Sequence, residues 1–244
     1  MANADLHIHT VLSPCSCLDM SPQRIVQEAI GKKLDIIGIT DHNCTLHCAV
    51  TDHLARKAGL FVMKGAEVTT REEIHCLAFF PDFDRLDAFQ EYIDRHHPKI
   101  PDKEGKFGFQ VLVDEDDRIL KFIDYLLVTA LDAGISDVSE KVAELGGIFI
   151  PAHIDRPANG LFSQLGFLPA GLAFDALEIS SSSVPNSIRE KYGIGESVAL
   201  IKSSDAHFPG QIGSGITRFV LNDLSFGEIS LALKGMEDRY LITA

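Results

Sequence analysis

The sequence contains no hydrophobic run long enough to cross a membrane, since none of its 244 residues lies in a stretch approaching the roughly 18 uninterrupted apolar residues of a spanning helix. Its first residues also lack the basic segment followed by an apolar one that marks a secretory signal. These two absences predict a cytoplasmic protein without a membrane partner.

Cysteine is sparse and odd in number. The five cysteines are Cys15, Cys17, Cys44, Cys48 and Cys76. An odd count in a chain without a recognisable signal predicts reduced thiols rather than a disulfide framework. Free cysteines commonly serve as small core residues, and we expect that role for all five.

Basic residues are fewer than acidic ones: 22 lysines and arginines against 35 aspartates and glutamates give a formal net charge of −13. Such a chain repels a nucleic-acid backbone and offers no basic stripe to follow one, which predicts that nucleic acid is not a bulk partner. A small anion can still bind, since the field near bound metal ions outweighs distant, screened surface charge.

The size and the pattern of the chain favour one α/β domain over residues 1–244. Apolar residues make up 45% of the sequence, enough for one large core. Short β-rich runs alternate with helical patterns, and the first helix is marked by Ser21 as its N-cap and Pro22 in its first turn. This alternation predicts parallel strands, arranged either as an open doubly wound sheet or as a barrel.

One segment, residues 97–127, breaks the alternation. It begins with a proline-containing loop and continues through the acidic stretch 114–117, which is typical of a hairpin turn or of a gap between a strand and a helix. We predict an insertion here that forms a lid.

Six of the ten histidines fall at or near predicted strand ends, together with three acids. The carboxyl ends of parallel strands share one face, so residues far apart in sequence converge there. The candidates for a metal site are His7, His9, Asp41, His42, Glu67, His75, His153, Asp205 and His207.

The spacing within this set suits metal binding. Residues two apart on a strand point to the same side, so His7 with His9, and Asp205 with His207, can each approach one ion. Imidazole and carboxylate together suit zinc, manganese or iron, and Glu67 has two oxygens with which to bridge neighbouring ions. A structural role is predicted instead for the histidines on helices or loops, namely His47, His53, His96 and His97.

The ordered set of motifs resembles the PHP family, named for its polymerase and histidinol phosphatase domains. The motifs are "DLHIHT", "ITDHN", "GAE", "IHCLAFF", "PAHIDRP" and "SSDAH", spanning Asp5 to at least His207. The resemblance implies a distorted barrel of seven β/α units with two or three divalent ions at the carboxyl ends of the strands, and hydrolysis of phosphate esters.

Residue by residue, the resemblance places a first ion among His7, His9, Glu67 and Asp205. Glu67 would bridge to a second ion held by His75 and His153. A third ion would take His42 and His207, with Asp41 nearby. Relatives supply an aspartate or histidine shortly after the first motif, where this chain offers Cys15, Cys17 or Asp19, and the resemblance leaves these alternatives open.

The expected reaction is attack on a small phosphorylated substrate by a hydroxide that bridges two cations. The third ion, or protonated His42 or His207, would stabilise the leaving alkoxide. Arg156 is a candidate phosphate clamp or a surface salt bridge, and Asp5 a candidate partner for a ligand imidazole. Two other functions stay open: metal-assisted hydrolysis of an amide or ester, and a non-catalytic module stabilised by metal.

Overall fold

The computed structural model describes residues 1–102 and 107–243. Eleven strands lie within these residues. They are β1 (Ala2–Ile8), β2 (Ile36–Ile39), β3 (Phe61–Thr69), β4 (His75–Phe80), β5 (Val111–Val113), β6 (Ile119–Phe122), β7 (Ile148–Pro151), β8 (Leu177–Ile179), β9 (Leu200–Lys202), β10 (Thr217–Val220) and β11 (Tyr240–Thr243).

Seven of these strands form a curled sheet in the order β11-β10-β1-β2-β3-β4-β7, while β8 and β9 form a separate parallel pair. Strands β1, β2 and β3 run parallel, as the helical crossovers require. The α/β architecture predicted from the sequence is therefore present.

The pairing differs from a regular barrel of seven β/α units at two places. Strand β4 is antiparallel to both of its neighbours, because the chain between β3 and β4 is too short for a helical crossover. Strands β10 and β11 add an antiparallel edge beside β1. The reversal of β4 places His75, at its first position, beside the final residue of β3, Thr69.

Single backbone hydrogen bonds link the seven-stranded sheet to the β8–β9 pair. The Ile154 N–H donates to Glu178 O on β8, at 2.9 Å. On the other side, the His9 N–H donates to Ala206 O at 3.0 Å, in the segment that follows β9. The β8–β9 pair consequently lies between the ends of β7 and β1.

Seven α-helices occur in the described residues. They are α1 (Pro22–Gly31), α2 (Cys48–Lys57), α3 (Phe83–His96), α4 (Ile135–Glu144), α5 (Leu161–Leu165), α6 (Pro185–Tyr192) and α7 (Phe226–Lys234). The Ser21 side chain accepts the Arg24 N–H, so the predicted cap of α1 is confirmed. Buried residues of α1, Ile25 and Ala29 among them, join the core packed against the strands.

The predicted insertion contains a β-hairpin. Strands β5 and β6 pair antiparallel, which makes the acidic stretch 114–117 a hairpin turn. The Val111 N–H donates to Val11 O, and the Val113 N–H donates to His47 Nε2, so the hairpin is attached to the loop after β1. Residues 103–106 of the insertion lie outside the described residues.

None of the helices in the described part of the chain is long and apolar enough to span a bilayer.

Candidate metal centre

The histidines predicted at strand ends gather in one place. His7 on β1 and His153 after β7 stack with ring centroids 5.8 Å apart, although 146 positions separate them in sequence. His75 and His153 rings lie 5.3 Å apart, and His9 and His207 rings 4.3 Å apart. His42 lies between them, with its ring 4.5 Å from that of His9 and 5.3 Å from that of His75, so six imidazoles form a single cluster.

Four side chains form its innermost group. His7 Nε2 and His9 Nε2 are 3.1 Å apart. Asp205 Oδ1 lies 3.2 Å from the first nitrogen and 3.1 Å from the second. Glu67 completes the group, with Oε1 3.2 Å from His7 Nε2 and Oε2 3.3 Å from His9 Nε2.

The outer nitrogen of each of these two rings is held by a neighbour. His7 Nδ1 lies 2.9 Å from Glu178 Oε2, a carboxylate that can only accept, so Nδ1 carries the proton. His9 Nδ1 lies 3.0 Å from Ser13 Oγ, whose own hydroxyl donates to Asp41 Oδ1 at 2.6 Å. Nε2 is therefore the nitrogen that each ring turns toward the other, and it is free to bind either a proton or a metal ion.

The separations between the two ring nitrogens and the nearest carboxylate oxygens are compatible with such a cation. A tetrahedral ion with bonds of about 2.0 Å separates its ligand atoms by about 3.3 Å. The five separations given above run from 3.1 to 3.3 Å. Neutral imidazole with carboxylate is also a donor set that suits zinc, manganese or iron.

The Glu67 carboxylate extends the cluster on its other side. Its Oε1 lies 2.9 Å from His75 Nδ1 and 3.2 Å from His153 Nε2, and its Oε2 lies 3.0 Å from His42 Nδ1. One carboxylate thus contacts five imidazoles, counting His7 and His9. This placement is the one that a bridging ligand requires.

Several polar atoms of the cluster are buried without a hydrogen-bond partner among the described residues. They are Glu67 Oε2, Asp205 Oδ1, His42 Nδ1 and His153 Nδ1. Ring nitrogens lie close to the two oxygens, but no N–H is aligned with either. Unpaired buried polar atoms are costly, and those of Glu67 and Asp205 lie where bound cations would satisfy them.

Two of the candidate ligands have a strained backbone. His153 has φ of 29° and Asp205 has φ of 50°, in the left-handed region that side chains with a Cβ rarely occupy. Each residue follows a strand, so the unusual turn directs its side chain back toward the cluster. Strain of this kind accumulates where a site demands it.

The carboxylates and imidazoles perturb each other's pKa strongly. Burial disfavours the charge on His9, but the nearby carboxylates of Asp205 and Glu67 raise its pKa to about 9. Burial also opposes protonation of His7, yet Asp205, Glu178 and Glu67 raise its pKa well above the ordinary value. In the metal-free protein, protons thus occupy the nitrogens that a cation would take.

At the edge of the cluster the histidine pKa values are lowered instead of raised. Burial, followed by the charge on His9, lowers the pKa of both His42 and His207 to about 4. Burial favours the neutral form of Glu67, but His75, His7 and His42 hold its pKa well below the usual range. Near pH 7 the His42 and His207 rings are neutral and Glu67 is ionised, which is the state that each needs to bind a metal.

Glu178 supports the cluster, although it was not among the residues predicted from the sequence. It lies on β8, it is 2% exposed, and its Oε2 accepts both His7 Nδ1–H and the His153 N–H, at 2.9 and 3.1 Å. A signal was present, since a glutamate inside the apolar run "ALEIS" must find a buried partner. Its contacts fix the orientation of two candidate ligands.

Two predicted roles are corrected by the structure. Asp41 lies behind the cluster, where its oxygens accept the Thr10 N–H and the hydroxyls of Thr10 and Ser13. Its carboxylate is therefore engaged in supporting the loop after β1. Asp5 contacts no ligand imidazole either; it accepts the N–H groups of Ser204 and Gly213, because these belong to the loop that carries Asp205.

The expectation that every cysteine is a core residue is wrong for Cys15. Cys44, Cys48 and Cys76 are buried as predicted, but Cys15 is exposed and its Sγ lies 3.2 Å from His42 Nε2.

Arg156 lies at the rim of the cluster. Its Nη1 is 2.5 Å from Asp205 Oδ2, and its side chain is 42% exposed. The structure thus pairs it with a candidate ligand rather than with a surface acid.

Of the histidines assigned structural roles, His47 is the most buried. It lies next to Thr10 Oγ1 and accepts the Val113 N–H, and it joins the hairpin to the loop after β1. His53 is exposed beside Glu115. His96 and His97 contact the backbone oxygens of Tyr92 and Leu127, respectively.

The chain is similar to several known proteins, although no protein-family model matches it. An uncharacterized Bacillus subtilis protein, YqxK, is 22% identical over 275 residues, covering 98% of this chain and 63% of that protein. The lesion-specific endonuclease PfuEndoQ from Pyrococcus furiosus has the same fold, with a TM-score of 0.78, 22% identity, and coverage of 98% of this chain and 57% of that one. This chain spans about three fifths of the length of both.

Two further structures share the fold. Endonuclease Q, in a complex with a 27-mer duplex substrate carrying an abasic lesion at the active site, gives a TM-score of 0.73 at 20% identity, covering 98% of this chain and 58% of that one. A putative metal-dependent phosphoesterase from Bifidobacterium adolescentis gives 0.55 at 18% identity, covering 87% of this chain and 91% of that one.

These structures overturn the prediction of a small phosphorylated substrate with no nucleic-acid binding, because Endonuclease Q has this fold and holds a DNA duplex. The prediction failed because it used net charge. Charges farther apart than a Debye length, about 10 Å at 0.1 M salt, are largely screened. The net charge of the whole chain, −13, therefore does not describe the electrostatic field at the cluster.

Proposed function

We propose that this chain is a metal-dependent hydrolase of phosphate esters, with nucleic-acid phosphodiesters among its substrates. The observation that carries the proposal is the buried group formed by His7, His9, Glu67 and Asp205, in which the two Nε2 atoms lie 3.1 Å apart and each lies 3.1–3.3 Å from an oxygen of both carboxylates. The fold shared with the endonuclease and the phosphoesterase supports the reaction class.

The proposed cofactors are two to three divalent ions, of zinc, manganese or iron. His7, His9, Glu67 and Asp205 would hold the first, and His75 and His153 the second, with Glu67 between them. Ions bound there would supply Lewis-acid activation of a phosphoryl group and of a water nucleophile.

The chain's own residues keep the site ready for these ions. Glu178 holds the proton on His7 Nδ1 and so keeps Nε2 as the ligand atom. Ser13 does the same for His9. The lowered pKa of His42 and His207 leaves both rings neutral near pH 7, so we assign them as ligands of a third ion and not as proton donors.

Arg156 is the proposed phosphate clamp. Its contact with Asp205 uses Nη1, and a guanidinium carries further N–H groups that can donate to phosphate oxygens. Arg156→Lys should raise KM on a phosphodiester substrate about tenfold or more while metal content stays unchanged, because lysine keeps the charge but loses the fork. An unchanged KM would remove Arg156 from the proposal.

We also infer that the described residues form one domain in which the strand ends close into a distorted seven-stranded barrel around the cluster. The hydrogen bonds Ile154 N–H to Glu178 O and His9 N–H to Ala206 O support this closure, since they join β7, β8 and β1 through the segment after β9. In this arrangement the β5–β6 hairpin flanks the rim, where the predicted lid would lie.

The proposed function is tested by a hydrolysis screen with zinc-, manganese- and iron-loaded protein. The substrates are a chromogenic phosphomonoester, a chromogenic phosphodiester, intact and abasic DNA duplexes, and acylated compounds. Phosphate-ester cleavage is expected in the wild type and in His53→Ala, which alters an exposed histidine, but not in His153→Ala, which also loses bound metal.

Three results would contradict this proposal. Hydrolysis by His153→Ala at the wild-type rate would refute the assigned second site. Release of acid or amine without phosphate-ester cleavage would favour an amide or ester hydrolase. Full metal occupancy without turnover of any substrate would favour a non-catalytic module.

A further inference from the structure

The loop between β1 and α1 is tied to the segment that carries His207. The Cys17 N–H donates to His207 O at 2.9 Å, and the Val11 N–H donates to Met20 O at 2.8 Å. The first bond joins the two segments, and the second closes the base of the loop. These bonds hold the loop that carries Cys15 beside the cluster.

The sulfur of Cys15 contacts a buried imidazole. Its Sγ lies 3.2 Å from His42 Nε2, and the His42 side chain is 5% exposed. The other nitrogen of the same ring, Nδ1, is 3.0 Å from Glu67 Oε2 and has no hydrogen-bond partner among the described residues. The buried His42 ring thus lies between the Glu67 carboxylate and the Cys15 thiol.

His207 supplies a third donor. Its Nδ1 lies 2.8 Å from Asp205 O, a carbonyl that can only accept, so the ring carries its proton there and leaves a lone pair on Nε2. Ligand atoms of His9, His42 and His207 all lie within 4.8 Å of one another. Because His9 Nε2 belongs to the innermost group, His42 and His207 are the two rings available at the rim.

The separation of sulfur and nitrogen matches a shared ion. Bonds of about 2.3 Å to sulfur and about 2.0 Å to nitrogen put the two donor atoms about 3.5 Å apart in a tetrahedral site. The 3.2 Å contact between Cys15 and His42 is within a few tenths of an ångström of that spacing.

We propose that Cys15 completes the third cation site at the rim as a thiolate ligand, beside Nε2 of His42 and Nε2 of His207. A thiolate selects a borderline-soft cation, zinc in preference to magnesium or calcium. This inference rests on the metal cluster of the proposed function, but not on hydrolysis.

The neighbouring candidates in the same loop do not reach the cluster. The sulfur of Cys17 accepts the Asp19 N–H at 3.5 Å, which directs it along its own loop. Asp19 lines a cavity of about 550 Å³ together with Leu18 and Val113, on the hairpin side of the loop. Cys17 is therefore a matched control, two positions from Cys15 and in the same reduced loop.

The test is the electronic absorption of cobalt(II)-loaded protein, since cobalt occupies tetrahedral zinc sites and a thiolate ligand adds a charge-transfer band in the near ultraviolet. The band is expected in the wild type and in Cys17→Ser. It should be absent from Cys15→Ser, which should also bind one equivalent less cobalt. Cys15→His should restore that equivalent without the band, which shows that the loop is folded.

A band that persists in Cys15→Ser, or a wild type saturated with cobalt that lacks the band, would overturn the proposal. The two proposals fail separately. Absence of phosphate-ester cleavage with an intact, Cys15-dependent band would refute the proposed reaction and leave this site standing.

Discussion

Glu178→Gln is the change that probes the support of the cluster without removing a ligand. Glutamine has nearly the same shape, and its oxygen can still accept the hydrogen bonds from His7 Nδ1 and the His153 N–H. Only the negative charge disappears. That charge makes His7 Nε2 a stronger electron-pair donor to a metal ion. The reason is that a carboxylate that accepts the Nδ1–H hydrogen bond raises the basicity of the ring.

The expected loss is 10- to 100-fold in metal affinity, about 1.4–2.7 kcal/mol, the range typical of carboxylates that orient ligand histidines. The tenfold loss is expected at low pH. Glu178 also helps to raise the pKa of His7, so its charge stabilises the proton that competes with the metal ion for this ring. The deficit of the variant should therefore grow as the pH rises.

The assay is competition for zinc with a chromogenic chelator at several pH values. Glu190→Gln is the matched control, because it removes the same charge from the exposed surface of α6. Equal zinc affinity in Glu178→Gln and the wild type at every pH would refute the reasoning. So would an equal loss in Glu190→Gln, since that would indicate a general effect of net charge.

Two further predictions concern stability. The raised pKa of His9, about 9 against an ordinary 6.5, gives the metal-free protein a stabilising contribution that is complete below pH 6.5 and is lost as the pH rises through 9. The Tm of chelated protein should fall over that interval, with His7 acting in the same direction, and a rising Tm would contradict the assignment. Asp5→Ala leaves the N–H groups of Ser204 and Gly213 without their acceptor, at a cost of about 1–3 kcal/mol each, whereas Asp5→Asn keeps one acceptor and should lose less. Urea unfolding measures both, and equal stability of Asp5→Ala and the wild type would exclude this role.

The convergence of these side chains could be predicted because residues at strand ends obey strong local rules. His7 and His9 are two residues apart, and most of the other candidate ligands lie at or just after strand ends that meet on one side of the sheet. The reversal of β4 was not anticipated, but it returns His75 to the same end of the sheet, so the predicted cluster survives this error in topology.

The residues that support the ligands were harder to predict, because their roles depend on contacts across the fold. Asp41 adjoins His42 in sequence, yet its carboxylate is turned toward Thr10 and Ser13. Glu178 lies 171 positions from His7, and they meet only because the β8–β9 pair lies between the ends of β7 and β1. Sequence spacing does not report such pairings.

The central claim is that His7, His9, Glu67 and Asp205 hold a cation, and anomalous diffraction from zinc-loaded crystals at the zinc edge tests it most directly. The account predicts a strong peak within bonding distance, about 2.0–2.2 Å, of His7 Nε2, His9 Nε2 and an oxygen of Asp205. Zinc bound only at other positions, with these side chains in place and no peak between them, would contradict it.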